Sequence, residues 1–492
     1  MSIRSIISSS LVCLAAVVVT GCGNGESSFV PGESTGKLMT NARAEVRKTV
    51  DSVFGTPQNL VVWDKLPLND GGIRGSITGY GRSRDGAKTT KQLTVTLDSE
   101  WAPESAAGAI VSFYGGVWAE AVVEKWDPET GDMLLTGTVV DPNSDPNSDE
   151  PKKPALGQRI VINSGVVLRH GRQLYQRHCS HCHGTSGDGA GPTAEYLHPL
   201  PRDYRLGKFK FISNKTGSRP SRDDLHRILK NGIPGTYMPS FVPMLKDEEL
   251  TAVIEYVRFL SMRGEFEQKL GVAFTEYTLE AYKSAENKKD LVNDLNAFIA
   301  EDFKDEVEFV QDDLAEAWTV ADDEEESGVS PVAPRVPDTL ESRQRGRELF
   351  VGKALNCVNC HGIDGRGNGP QTEDFEEGAD EPGLHNAWGH VVKPRNLTTG
   401  IYRGGRRPID LYRRIVAGID PSKMPAFGGK MPIPAGRLAA DASPEDAAIA
   451  QDEQVWHLVN YVLSVPFAVE PGHLPEPVAD EADEPQTNPE EN

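Results

Sequence analysis

Cys179-Ser180-His181-Cys182-His183 and Cys357-Val358-Asn359-Cys360-His361 are two copies of the pattern CxxCH. Two thiols at this spacing can bond covalently to the two vinyl groups of one haem, and the following histidine can bind the iron. A zinc knuckle, a CxxC redox pair and a chance match are the alternatives. With six cysteines and eleven histidines in 492 residues, chance rarely produces this pattern twice. The sequence therefore predicts two covalently bound haems c, with His183 and His361 as axial ligands of the iron.

The sequence around these motifs is duplicated. Copy one runs from Gly171 to Phe241 and copy two from Gly346 to Phe427, with the same order of glycines, prolines and arginines. Near its end, each copy has a methionine followed by proline, Met238 in the first and Met424 in the second. An acidic insertion at 373–381 accounts for much of the greater length of copy two. Duplication of one haem-binding unit explains this pattern.

Both copies resemble class I c-type cytochromes, over about 166–265 and 339–466. The shared pattern is an N-terminal helix ending in CxxCH, a glycine-rich loop, middle helices, a loop with methionine before proline, and a C-terminal helix. The segments Pro201-Arg202-Asp203-Tyr204 and Gly235-Thr236-Tyr237-Met238-Pro239-Ser240-Phe241 are similar to those of di-haem cytochromes attached to bacterial respiratory complexes. The resemblance implies a mainly α fold: two tandem class I cytochrome c domains, beside a small β-containing N-terminal region.

The two methionines that end the duplicated pattern are the predicted sixth ligands. Met238 and Met424 occupy the same place in their copies, whereas the rival Met431 precedes a proline but does not align with Met238. Met244 is the rival in copy one. A histidine and a methionine together fill both axial positions and raise the reduction potential relative to two histidines. Such a filled iron suits electron transfer.

Other haem contacts follow from the resemblance. The second ring nitrogen of a metal-binding histidine needs a hydrogen-bond acceptor, and the resemblance implies the backbone carbonyls of Pro192 and Pro370. Arg202 and Arg395 are candidate contacts to the haem propionates, because a planar guanidinium pairs well with carboxylates. Arginines exposed at the surface are the alternative.

Glycine and aromatic residues four apart indicate how the motif helices pack. Gly171 and Tyr175 share one helical face, as do Gly346 and Phe350. The glycine allows a second helix to approach closely, and the aromatic ring can pack on it. The candidate C-terminal helices, recognised by their apolar spacing, are 247–262 and 453–464.

Residues 1–21 are typical of an export signal, with Arg4 followed by an apolar run too short to cross a bilayer comfortably. The sequence Val19-Thr20-Gly21-Cys22 resembles the bacterial lipobox, which predicts lipidation of Cys22. An ordinary secretory signal is the alternative. Export also suits haem c, which is attached outside the bacterial plasma membrane. The predicted location is therefore the cell envelope, on the periplasmic side, with a lipid anchor in the inner or outer membrane.

Composition divides the remaining chain. The helix predicted at 38–54 precedes apolar, β-branched runs at 60–63 and 92–97, a hairpin at 121–126 and 133–140, and a strand at 159–163. A small β module and an extended wrap are both compatible with these signals. The predicted divisions are a flexible tether at 22–37, a β-rich region at 38–165, an acidic helical segment and Pro-rich linker at 266–338, and an acidic disordered tail at 467–492.

The formal net charge of −22 argues against nucleic acid and anionic lipid headgroups as partners, and favours a basic docking face on a redox partner. The sequence contains no recognisable constellation of general acid, base and nucleophile. It therefore predicts a single-electron relay between a donor and an acceptor protein, without substrate chemistry of its own. The alternatives are a di-haem peroxidase or thiosulfate-type oxidoreductase with one open haem site, and a docking subunit of a respiratory complex.

Overall fold

The structure is a computed structural model that describes residues 28–63, 65–85, 88–98, 108–113, 120–136 and 156–468. The predicted signal sequence, the lipobox with Cys22, and the acidic tail beyond residue 468 lie outside these residues. Among the residues that the structure describes, no helix has both the length and the apolar character that a membrane span requires.

The first described segment packs on the first haem domain. It forms two helices, α1 (Glu33–Lys37) and α2 (Thr40–Phe54), so the helix predicted at 38–54 is confirmed. Phe29 is buried with its ring 6.5 Å from that of Phe259, and the backbone nitrogen of Val30 donates to the hydroxyl of Ser186 at 2.8 Å. The flexible tether predicted at 22–37 is therefore wrong for residues 28–37, because this part of the chain has apolar and hydrogen-bonding partners in the folded domain.

The β region is a closed antiparallel barrel of six strands in the order β1-β2-β5-β4-β3-β6. The hairpin predicted around residues 127–132 is confirmed as β4 and β5, whereas the predicted strand at 60–63 is wrong, because only Leu60 forms an isolated bridge, to Gly55. The barrel closes because β1 pairs with both β2 and β6. Of the two arrangements compatible with the sequence, the structure therefore shows the small β module and not the extended wrap. The strands are β1 (Ile73–Asp85), β2 (Lys88–Leu97), β3 (Ile110–Phe113), β4 (Glu120–Asp127), β5 (Asp132–Thr136) and β6 (Arg159–Ile162).

The first helical domain contains α3 (Val166–His178), α4 (Ser180–His183), α5 (Arg222–Asn231) and α6 (Asp247–Ala273). The C-terminal helix extends eleven residues beyond the predicted 247–262, because its later turns are buried against α2 and the following helices. Helix α3 crosses α6 at Gly171, where a Cβ atom would overlap the carbonyl oxygen of Ala252. The Tyr175 ring packs edge-on against Tyr256 at 5.3 Å, as the glycine–aromatic spacing predicts.

The acidic segment packs on the first helical domain. Its helices are α7 (Leu279–Ser284), α8 (Lys288–Glu301), α9 (Phe303–Val320) and α10 (Glu324–Ser327). Trp318 of α9 is fully buried and donates from its indole nitrogen to Glu265 of α6 at 3.1 Å. The Pro-rich stretch that follows contacts the second domain, where the Asp452 carboxylate accepts from the backbone nitrogens of Val332 and Ala333.

The second helical domain repeats the first, with α11 (Leu340–Val351), α12 (Val358–His361), α13 (Pro408–Ala417) and α14 (Pro444–Ser464). At Gly346, helix α11 meets α14 so closely that a Cβ atom would overlap the carbonyl oxygen of His457. Phe350 and Tyr461 pack with ring centroids 5.3 Å apart. The insertion specific to this copy precedes a two-stranded sheet of β7 (Leu384–His385) and β8 (Val391–Val392).

Replacing Gly171 or Gly346 with alanine is expected to lower the free energy of unfolding by about 1–3 kcal/mol, because the added methyl group must push two packed helices apart. Denaturant unfolding of the haem-loaded protein measures this change. Gly36→Ala is the control, since its Cβ meets no atom within 4 Å and alanine favours the helix. Equal effects of all three substitutions would contradict the close-packing role.

Candidate haem sites

One cavity of about 1940 Å³ is lined by both helical domains. Domain 1 contributes His183 and Met238 to its wall, and domain 2 contributes His361 and Met424. Pockets for small ligands usually occupy about 300–1,000 Å³. The cavity is therefore large enough for two cofactors, and it brings the two CxxCH motifs to one shared space.

His183 is held as a neutral imidazole. Burial lowers its pKa to about 4, and its Nδ1 lies 3.1 Å from the backbone carbonyl oxygen of Arg202. The ring of Tyr204 stacks on the imidazole with centroids 4.8 Å apart. Because Nδ1 is occupied by the carbonyl, Nε2 is the nitrogen available to a metal.

His361 has the same environment in domain 2. Burial lowers the pKa of its imidazole, and its Nδ1 lies 3.3 Å from the carbonyl oxygen of Arg395. The predicted acceptors, the carbonyls of Pro192 and Pro370, are therefore wrong. The glycine loop before each proline folds back onto the motif, with Gly191 donating to the Cys182 carbonyl. The later Pro-Arg segment then passes beside the imidazole instead.

The two methionine loops have matching backbone structure. The backbone nitrogen of Ile233 donates to the carbonyl of Met238 at 3.0 Å, and that of Ile419 donates to Met424 at 2.9 Å. Each loop follows a glycine with positive φ, Gly232 or Gly418. This correspondence agrees with the alignment of Met424 with Met238.

The rival methionines occupy different environments. Met431 is only 3% exposed and belongs to the apolar core of domain 2. Met244 lies at the cavity wall but is 51% exposed. Neither shares the loop geometry that relates Met238 to Met424.

The motif cysteines have the properties of thioether donors rather than of a redox pair or a zinc site. Cys179, Cys182, Cys357 and Cys360 are free and line the cavity. Burial raises the pKa of the Cys179 and Cys357 thiols to about 12, which disfavours the thiolate that disulfide exchange requires. Within the described ranges, no group of three or more His, Cys, Asp or Glu residues could hold a metal ion.

The polar groups of the cavity wall fit the carboxylates of haem. The Nε1 of Trp388 and the Nε of Arg403 are buried and make no hydrogen bond to the described protein. Arg202 and Lys210 line the same cavity. A haem carries two propionate carboxylates, which can accept from these donors and balance the positive charges. The apolar wall and these donors together match the two faces and the acidic edge of a haem.

The two arginines predicted to contact propionates differ in their surroundings. The Arg202 guanidinium lies 3.9 Å from the centroid of the Trp388 ring, which belongs to domain 2. Arg395 donates from Nε to the carbonyl of Ile401 at 2.7 Å and from Nη2 to the Thr399 hydroxyl. Both line the cavity, and their contact with propionates stays a prediction. The sequence did not point to three further cavity residues, because they belong to no motif: Trp388, Lys210 and Arg403.

Comparison with known proteins supports the same interpretation. Residues 167–257 match the family model described as cytochrome C oxidase, cbb3-type, subunit III, and residues 344–466 match the model described as cytochrome c. A solved structure, the reducing HAO-like protein complex of Kuenenia stuttgartiensis, has 24% sequence identity and a TM-score of 0.38. The match covers 60% of this chain and 95% of that chain, and at this TM-score it carries no argument.

No curated protein matches the chain. The two family matches fall on the two helical domains, and each includes one CxxCH motif. The chain therefore contains two cytochrome c domains with two covalently bound c-type haems, which is the composition of a di-haem c-type cytochrome.

Proposed function

We propose that this protein relays single electrons between redox proteins at the bacterial cell envelope. In this proposal, His183 and Met238 are the axial ligands of one iron, and His361 and Met424 are those of the other. The observation that carries it is that each domain contributes one methionine and one partly buried imidazole of lowered pKa to the wall of the same cavity. An iron with both axial positions filled gains or loses an electron without binding a substrate.

The shared cavity suits transfer within the chain. Both motifs open into one space, so two haems attached there would lie beside each other and would supply two redox centres in one protein. The net charge of −22 favours encounter with a basic face on the donor or the acceptor. The arrangement supports relay between two proteins rather than storage at a single centre.

A lipid anchor at Cys22, after removal of residues 1–21, is part of the proposal. Ser28, the first described residue, is the sixth residue after Cys22. An extended chain spans at most about 3.6 Å per residue, so this stretch reaches no further than roughly 22 Å. Because Phe29 and Val30 already contact domain 1, the anchor would keep the first haem domain close to the membrane surface.

A role as a subunit of a respiratory complex is the second candidate. The family model that matches residues 167–257 is described as subunit III of a cbb3-type oxidase, which favours this role. Co-purification of other proteins with the full chain, after gentle solubilisation of membranes, tests it. A free carrier is recovered alone under the same conditions.

Met238→Ala and Met424→Ala test the relay directly. Each is expected to lower the reduction potential of one haem by on the order of 0.1 V or more, since axial ligands set haem potentials over about 0.8 V. The near-infrared methionine band should fall by half in each variant. Spectroscopic redox titration of the full-length protein measures both effects.

Met244→Ala is the matched control and should leave both potentials and the methionine band unchanged. If the protein is an electron relay, neither methionine variant should turn over peroxide at the rate of a peroxidase. Peroxide-dependent or thiosulfate-dependent turnover by the unaltered protein, or a five-coordinate haem in it, would instead favour a di-haem oxidoreductase enzyme.

A further inference from the structure

Four side chains from the two domains meet in the wall of the haem cavity. Arg202 and Lys210 come from domain 1, and Trp388 and Arg403 come from domain 2. The guanidinium of Arg202 lies over the Trp388 ring at 3.9 Å, so the two domains are in direct contact here. We call these four residues the interdomain cation cluster.

Two members of the cluster carry buried donors that lack an acceptor. The indole Nε1 of Trp388 and the guanidinium Nε of Arg403 are both inaccessible to solvent and make no hydrogen bond to the described protein. Most buried polar groups in proteins are hydrogen-bonded, and leaving one without a partner is unfavourable. The pair therefore indicates an acceptor that binds between the domains.

The charges of the cluster specify an anionic acceptor. Burial, together with the nearby charges of Arg202 and Arg403, lowers the pKa of Lys210 to about 7. Like charges brought together out of water are unfavourable unless an anion compensates them. A carboxylate in the cavity supplies both the charge and the missing acceptor.

The two copies use the corresponding arginine differently. Arg395, the counterpart of Arg202, donates to the Ile401 carbonyl of its own domain. Arg202 instead contacts Trp388, which lies in a stretch that copy one lacks. Duplication of a haem unit therefore does not explain the cluster, which exists only where the two domains meet.

We propose that the interdomain cation cluster binds haem propionate carboxylates, so that each domain completes the haem site of the other. The donors of each domain reach a carboxylate of the haem held by the other domain, so the potential of each haem depends on charges from the opposite domain. The proposal rests on the two bound haems and on the observed contact, not on which proteins exchange electrons with them.

Arg403→Gln and Lys210→Met test the proposal in the full-length, haem-loaded protein. Arg403→Gln should lower the potential of the domain 1 haem, and Lys210→Met that of the domain 2 haem, because loss of a nearby positive charge stabilises ferric iron. The propionate bending modes in resonance Raman spectra should shift in both variants. Trp388→Phe, which keeps the ring and removes the indole N–H, should shift the same modes.

Arg406→Gln is the matched control. Arg406 is exposed, three positions from Arg403, and packs over the Phe467 ring outside the cavity. Arg403→Lys should preserve the potentials, since it keeps the charge. Haem content and thermal unfolding, measured first, identify any variant that fails to fold, in which case Lys210→Met and Trp388→Phe decide the matter.

Potentials and Raman spectra indistinguishable from those of Arg406→Gln would overturn the proposal. A shift confined to the haem of the altered domain would overturn its interdomain part. Neither outcome bears on the electron relay, which the axial methionine variants test separately.

Discussion

A chain in which Cys179 and Cys182 are both replaced by alanine is expected to carry one covalently bound haem instead of two. Each CxxCH motif supplies both thioether bonds to its own haem, so loss of one pair removes one attachment site completely. A chromatographically purified, full-length protein, matured in a host competent for cytochrome assembly, should then show half the haem absorbance per chain. Mass spectrometry after denaturation counts the attached haems.

The same exchange at Cys357 and Cys360 is the reciprocal control. It should remove the other haem, and the two variants together assign each spectroscopic signal to one domain. Two attached haems in either double variant would contradict the assignment of the motifs.

Asp322→Asn is expected to lower the free energy of unfolding by about 1–3 kcal/mol, the cost of weakening the acceptor of a buried charged donor. Arg258 is fully buried in α6, and its Nη2 lies 2.9 Å from the Asp322 carboxylate. Arg222 pairs with the same carboxylate and also with the buried Glu255, at 2.5 Å. The loss is smaller than for a fully buried ion pair, because the Asp322 side chain is 24% exposed and Glu255 also balances the Arg258 charge.

The effect should be local to domain 1 and the acidic helical segment, since Asp322 follows α9 and Arg258 belongs to the core beneath it. Denaturant unfolding at constant pH measures the loss. Asp312→Asn is the control, because its pair with Lys65 is exposed at the surface and is worth about 0–1 kcal/mol. A loss no larger than that of the control would show that the Arg258 charge is compensated by other groups.

Local spacing predicted the chemistry and much of the helical structure. The CxxCH motifs, their duplication and the two methionine–proline pairs are recognisable because each depends on residues close together in the chain. Gly171 and Gly346 were recognisable as close-contact positions for the same reason, since a helix places a glycine and the aromatic four residues later on one face. Which residues share a helical face does not depend on the rest of the fold, so the structure confirmed these positions.

Contacts between distant segments were predicted less well. Pro192 and Pro370 follow the motifs directly, yet the acceptors for the imidazoles are the carbonyls of Arg202 and Arg395. The prediction of a flexible tether was wrong at Phe29. The polarity of a short segment does not reveal whether another part of the chain offers an apolar surface for it to pack on. The barrel closes through β1 pairing with β6, more than seventy residues away, and no local pattern encodes that partner.

By itself the sequence determined that this protein carries two haems on two repeated helical units, because thioether attachment needs only two cysteines and a histidine at a short, fixed spacing. Only the tertiary structure decided that both CxxCH motifs line one cavity and that Trp388 and Arg403 of one unit meet Arg202 and Lys210 of the other. Packing between domains depends on the shape and charge of whole surfaces, which form only after each unit has folded.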